Sequence, residues 1–277
     1  MKQSIIPYGY HQITQDDIDA VVSTLKSNYL TQGPKVDEFE TKFAEYIGSN
    51  YAVAVSNGTA ALHLSALALG VKPGVKVITS PLSFVGTSNA VLYCGGDIDF
   101  CDIDPNTLLI DIKLLKQKLE SKPKGTYSGI IVVDFAGYPV LMDQFRTIAD
   151  EYNLWLLEDS CHAPGAYFYD HNEELQQSGN GKYADLAIFS FHPVKHIACG
   201  EGGMITTNDE KLYRRLIQLR THGITKDPSL LNENHGGWFY EMQELGYNYR
   251  LSDINCSLGI SQLKRANKNL IKRKSIA

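Results

Sequence analysis

Short apolar runs alternate with segments of helical period along most of the chain. "YAVAV" (51–55) predicts a strand, and "GTAALHLSALALG" (58–70) predicts a helix closed by Gly70. The couplet recurs in "VKVIT" (75–79) with a helix over 83–93, and in "IDFCDI" (98–103) with "DIKLLKQKLES" (111–121). It recurs again in "GIIVVDF" (129–135) with "MDQFRTIADEYN" (142–153). "LWLLED" (154–159), "LAIFSF" (186–191) and "GMITTN" (203–208) predict further strands, and 209–223 a further helix. Strands apolar on both faces, joined by amphipathic helices, predict an α/β fold with a mostly parallel sheet covered on both sides. The polar stretch 170–183 reads as an exposed insertion and 224–243 as a long loop able to cover a site.

Composition narrows this picture. The 277 residues are 43% hydrophobic and 21% charged, enough for one large domain or one domain and part of a second. A net charge of −5 argues against a nucleic-acid partner, and the basic "KRANKNLIKRK" reads as a solvated helix face. The five cysteines are scattered with no CxxC pair, which predicts free thiols rather than disulfides or a metal site. The first residues lack a signal-peptide core, and "AALHLSALALGV" is too short to span a bilayer, so a soluble cytoplasmic protein with no membrane partner is expected. P-loop, HExxH and GxSxG motifs are absent. "GNGKYA" (179–184) matches GxGxxA but follows polar "EELQQS" instead of a strand, so it lacks the context of a dinucleotide site.

In parallel sheets, ligands gather at the carboxyl ends of the strands. Three such junctions carry unusual residues. "SNGTAAL" (56–62) opens a helix whose free N–H groups could hold a phosphate, or could simply be capped by Asn57 or Thr59. "LWLLEDSCHAPGA" (154–166) ends a strand in Glu158 and Asp159, suited to a protonated ring nitrogen, a metal or plain solvation, with His162 three residues on. "FSFHPVKHIACGEGG" (189–203) sets Lys195 between aromatic residues and a glycine-rich turn, where an amine can form a Schiff base with an aldehyde. Together they supply a phosphate cradle, an acid for a pyridinium and a lysine for an aldehyde, the protein parts that pyridoxal 5'-phosphate requires.

With those motifs in place, the chain resembles the DegT/DnrJ/EryC1/StrS family of pyridoxal-phosphate-dependent nucleotide-sugar aminotransferases over essentially its whole length. "YLTQGPKV", "SNGTAAL", "EDSCHAPGA", "SFHPVKHIACGEGG" and "LGYNYRLSDINCSLGISQL" match in order and approximate spacing. The opening "IPYGYHQITQDDIDAVVSTLKSNYLTQGPKVDEFE" is most similar to the pseudaminic-acid branch. That branch aminates C4 of a UDP-linked 4-keto-6-deoxy N-acetylhexosamine with L-glutamate as donor.

The resemblance implies a fold-type-I transferase with a seven-stranded sheet, divided into an N-terminal arm and helix (1–30), a large cofactor-binding domain (31–245) and the start of a small C-terminal domain (246–277). It implies that Lys195 is the Schiff-base lysine and proton carrier, and that Asp159 keeps the pyridine nitrogen protonated. His162 would sit near the ring hydroxyl, and Phe84 would stack on the ring. Gly58, Thr59, Ala60 and Ser190 would hold the phosphate. Asn248 would reach the cofactor of a neighbouring subunit, which implies a homodimer with shared active sites. Tyr8 and the stretch Asn28, Tyr29, Leu30 and Thr31 correspond to substrate-contacting segments, and no metal is implied. A branch that carries histidine at the lysine position performs dehydration, so Lys195 favours transamination. Family members continue into a domain that closes over the nucleotide sugar, whereas this sequence stops at "NLIKRKSIA" within a helical pattern. The same chemistry on a GDP- or dTDP-linked sugar, or a truncated cofactor-binding remnant without turnover, stays open beside the leading reading.

Overall fold

The computed structural model describes residues 9–233 and 235–276. Helices α1 (Gln15–Leu25) and α2 (Pro34–Ile47) lead into β1 (Tyr51–Val55), α3 (Gly58–Ala68), β2 (Lys76–Thr79), α4 (Val85–Tyr93) and β3 (Asp97–Phe100). Next come α5 (Ile112–Glu120), β4 (Gly129–Val133), α6 (Met142–Tyr152), β5 (Trp155–Asp159), β6 (Tyr167–Tyr169) and β7 (Leu175–Gln177). The chain continues through β8 (Leu186–Ser190), β9 (Gly203–Thr207), α7 (Glu210–Arg220), β10 (Ile224–Thr225), β11 (Glu241–Met242), α8 (Asp253–Leu263) and α9 (Ala266–Ile276).

The main sheet has seven strands in the order β1-β9-β8-β5-β4-β2-β3. Only β9 runs against its neighbours β1 and β8, so the sheet is mostly parallel, as the apolar strand pattern predicts. The pleat sorts side chains between the faces. Val53, Val55, Leu157, Ile188 and Ile205 pack with α3 and α7 on one side. On the other, Ile130, Val132 and Leu156 meet α5 and α6, while Ala54, Phe189 and Met204 meet α2 and α8. Phe43 is the hub of an aromatic cluster there, its ring centroid 4.9 Å from Phe189 and 5.3 Å from Phe191. Burying each phenylalanine contributes roughly 2 kcal/mol, which anchors both ends of the segment leading to Lys195.

The polar stretch 170–183 departs from its reading as an exposed insertion. It forms the hairpin β6–β7, and Asp170, Gln176 and Ser178 are buried. Polarity misleads here because partners compensate the burial. The Asp170 carboxylate accepts from Gln176 at 2.9 Å, Lys182 at 3.1 Å and Tyr183 at 2.7 Å. Residues 224–243 hold the two-residue ladder β10–β11 within an otherwise irregular excursion. Among the described residues, no helix is long and apolar enough to cross a membrane.

Candidate active site

The carboxyl ends of β1, β2, β5 and β8 bring the predicted residues to one edge of the sheet. At the end of β1, Asn57 caps α3 by accepting from the Ala60 amide at 2.8 Å. That leaves the Gly58 and Thr59 amides, whose N–H groups lie in the first turn and have no acceptor within the helix. A side chain at position 58 would place its Cβ 3.0 Å from Ser190 Cβ and 3.3 Å from Ser190 Oγ. Glycine there lets the Ser190 hydroxyl, at the end of β8, approach the positive end of α3.

Asp159 closes β5 and is 5% exposed. Its Oδ2 accepts from the Thr87 hydroxyl at 3.0 Å and its Oδ1 from the Cys161 amide at 3.2 Å. Thr87 stands in the first turn of α4 and also meets the Ser83 hydroxyl at 2.7 Å. Phe84, the N-cap of α4, is 70% exposed, so its ring is available beside this carboxylate. Lys195 lies in the turn after β8, where its amide donates to His192 O at 2.8 Å. Its ammonium has no hydrogen bond or ion pair among the described residues. Burial, and then the nearby Lys195 charge, push the pKa of His162 down, so the ring is neutral at physiological pH. Burial, followed by the charge of Arg273, pushes His196 down to about 4.

Glu158 and Asp159 are neighbours in sequence but point to opposite faces, because side chains alternate along a strand. Glu158 therefore leaves the Lys195 side and faces Asp134 at the end of β4. Both carboxyls are buried, and burial raises both. The Asp134 carboxylate accepts from the Val140 amide at 2.8 Å and the Ser160 hydroxyl at 2.9 Å, and Glu158 accepts from the Gly179 amide at 3.1 Å. Glu158 Oε1 has no hydrogen-bond partner among the described residues, and burial beside Asp134 favours a proton on it. Sequence reading named Glu158 as a strand-end acid but passed over Thr87 and Asp134. Thr87 was findable, three residues after Phe84 on a helix that starts at the site; Asp134 was not, because its partners come from other strands.

The remaining predicted residues lie outside this cluster. Asn248 is exposed, its main chain bridging Thr221. Asn28, Tyr29, Leu30 and Thr31 are exposed, with Thr31 bridged to Ser252. Tyr29 borders a cavity of about 440 Å³ lined also by Gln32, Asp37, Thr221 and Arg250. Tyr8 lies outside the described residues.

Comparison with known proteins decides the family. The description "DegT/DnrJ/EryC1/StrS aminotransferase family" fits residues 11–277. The chain belongs to the DegT/DnrJ/EryC1/StrS aminotransferase family. Aminotransferases of the DegT/DnrJ/EryC1/StrS family depend on pyridoxal phosphate. A curated relative, the UDP-4-amino-4,6-dideoxy-N-acetyl-beta-L-altrosamine transaminase of Campylobacter jejuni strain 81-176, is 44% identical over 98% of this chain and 68% of its own length. The Helicobacter pylori aminotransferase PseC, involved in the biosynthesis of pseudoaminic acid, superposes with a TM-score of 0.81 at 30% identity, over 95% of this chain and 66% of PseC. The sugar aminotransferase Spr1654 of Streptococcus pneumoniae in its PLP form superposes with a TM-score of 0.84 at 30% identity, over 99% of this chain and 70% of that one. The chain thus spans about two thirds of the length of these family members, between 66% and 70%.

Proposed function

We propose that this chain carries the cofactor site of an aminotransferase that moves an amino group from L-glutamate to C4 of a UDP-linked 4-keto-6-deoxy N-acetylhexosamine. The observation that carries the reading is the convergence of Gly58, Ser190, Asp159 and the Lys195 ammonium, unpaired among the described residues, at one edge of the sheet. Its extension to the UDP sugar rests on the 44% identity with the altrosamine transaminase.

The residues present fit pyridoxal phosphate. Two amides without helical acceptors and the Ser190 hydroxyl suit a phosphate dianion, and a Cβ at position 58 would fill that cradle. When bound, the cofactor supplies an electron sink for the carbanion that forms at the substrate carbon. Lys195 would hold its aldehyde carbon until the donor's amine displaces it, and the freed ε-amine would then carry the proton from the amino donor's Cα to that former aldehyde carbon. Asp159 would accept a hydrogen bond from the protonated ring nitrogen, held in orientation by Thr87 and the Cys161 amide. Neutral His162 would meet the ring hydroxyl and Phe84 would cover the ring face. Gly58, Thr59 and Ala60 at the start of α3, with Ser190, would bind the phosphate, the Ala60 amide giving up its bond to Asn57 to do so.

The same reading makes the protein a homodimer, with Asn248 reaching the partner's cofactor. An exposed apolar face supports it. Phe84, Val85, Leu92 and Tyr93 of α4 are 70%, 59%, 51% and 58% exposed. Tyr93 meets the His63 ring at 5.5 Å, which in turn meets Tyr247 at 4.8 Å, beside Asn248. Mass-spectrometric identification of the product from glutamate and a panel of UDP-, GDP- and dTDP-linked keto sugars tests the reading. Preferential amination of a GDP- or dTDP-linked ketone would overturn the UDP assignment.

A further inference from the structure

Helix α8 and the residues just after it bond three segments: the start of α2, the end of the Lys195 turn, and the arm before α1. At its N-terminus, the Asp253 carboxylate accepts from the Gly33 and Lys35 amides at 2.8 and 2.9 Å, and the Asp253 amide donates to Leu30 O at 3.0 Å. This caps α2 and fixes the Asn28–Thr31 stretch. One residue pair further on, Asn255 donates to Cys199 O at 2.6 Å, four residues past Lys195. Beyond its C-terminal end stands the third contact. Gln12 O accepts from Gln262 at 3.1 Å and from Arg265 at 2.6 Å. The Arg265 guanidinium also bonds the Thr14 hydroxyl and the Asp17 carboxylate, each at 2.6 Å.

Residues 9–14 form no helix or strand, so ordering them needs bonds from elsewhere. The planar fork of Arg265 reaches a carbonyl, a hydroxyl and a carboxylate at once, and Asp17, 1% exposed, fixes its charge. The arm they hold runs against the lysine turn. A side chain at position 9 would place its Cβ 2.6 Å from Val194 Cγ1, the residue before Lys195. Tyr10 is 82% exposed and stacks on His11 at 5.6 Å, presenting an aromatic pair beside that turn.

We infer that Arg265 and Gln262 are positioning residues for the nucleotide-sugar substrate, strapping arm residues 9–12 across the Lys195 turn as one wall of the substrate entrance. This rests on the function proposed above. The strap serves the bulky second substrate, whereas glutamate needs only the cofactor edge of the pocket.

The test uses Arg265→Ala, Arg265→Lys and Gly9→Val, the last of which crowds Val194 from the arm itself and leaves the Arg265 and Gln262 bonds to Gln12 in place. Three quantities are read: amide hydrogen exchange over residues 10–14, the single-turnover rate with glutamate, and KM for the UDP-4-keto sugar. In Arg265→Ala, exchange at the arm rises and KM increases about tenfold or more, while the glutamate half-reaction stays within about twofold. Arg265→Lys restores part of the KM, since it keeps the charge on Asp17 but not the fork. Gly9→Val raises KM in the same way, and together with Arg265→Lys it decides the matter if Arg265→Ala does not fold. Unchanged exchange in the Arg265 variants, an unchanged KM, or a parallel fall of both half-reactions overturns the inference. Failure of the unmodified chain to aminate any keto sugar overturns the functional reading, which the exchange measurement reports separately.

Discussion

Replacing Glu158 with glutamine separates a carboxyl pair that supports the site from behind. Glu158 is 3% exposed and Asp134 0%. Burial first, then the charge of Asp134, raises Glu158; burial raises Asp134 from 3.8 to about 6 despite bonds from Val140 and Ser160. A shift of about two units corresponds to roughly 3 kcal/mol between the protonated and ionised forms. Because the folded values are raised, the folded chain binds more protons than the unfolded chain across this window. The stabilising contribution is therefore full below the unfolded value of 3.8 and is lost as pH rises through about 6. In Glu158→Gln the neutral amide has no proton to lose, so Glu158's share of that loss disappears while Asp134's, set by burial, remains. Thermal unfolding of both cofactor-free proteins, read as a difference at each pH, checks this, since other titrating groups such as Glu40 are common to both. From about pH 4.5 upward the unmodified protein should lose stability, and Tm, relative to the variant, because ionising the buried Glu158 carboxyl has no counterpart in the amide, whereas the roughly 3 kcal/mol tied to the burial of Asp134 is common to both. A difference that stays flat across that window refutes the raised Glu158 carboxyl.

Other consequences are narrower. Thr87→Val removes the hydroxyl that donates to Asp159 at 3.0 Å. Loss of such a charge-assisted bond should weaken pyridoxal-phosphate affinity by about tenfold or more, as measured by cofactor titration. Arg220→Ala leaves Glu40, which is 7% exposed, with only the Ala54 amide as a partner at 2.8 Å among the described residues. Stability at neutral pH should fall by about 3–5 kcal/mol in chemical denaturation and recover partly on acidification, because burial already raises Glu40. Tyr93→Asp charges the exposed face of α4, and sedimentation should then report a monomer where the unmodified protein sediments as the proposed dimer.

The chain pattern made the sheet legible because parallel strands such as 129–133 are apolar throughout, a signal carried by local sequence. It also led to Gly58, Asp159, Ser190 and Lys195, since each follows a recognisable strand. What escaped depends on distance along the chain or on compensated polarity. Asp253 caps α2 from 220 positions away, and no local motif announces that. The hairpin over 167–177 buries polar side chains whose partners were not evident from the sequence. The two acids of "LWLLED" looked equivalent until the pleat sent Glu158 to Asp134 and Asp159 to Thr87.

The most direct test of the central claim is to load the protein with pyridoxal phosphate, reduce it with borohydride and map the labelled peptide by mass spectrometry. The account predicts the cofactor's mass on Lys195, and none in Lys195→Ala. A label on any other lysine, or an unlabelled chain, would contradict it.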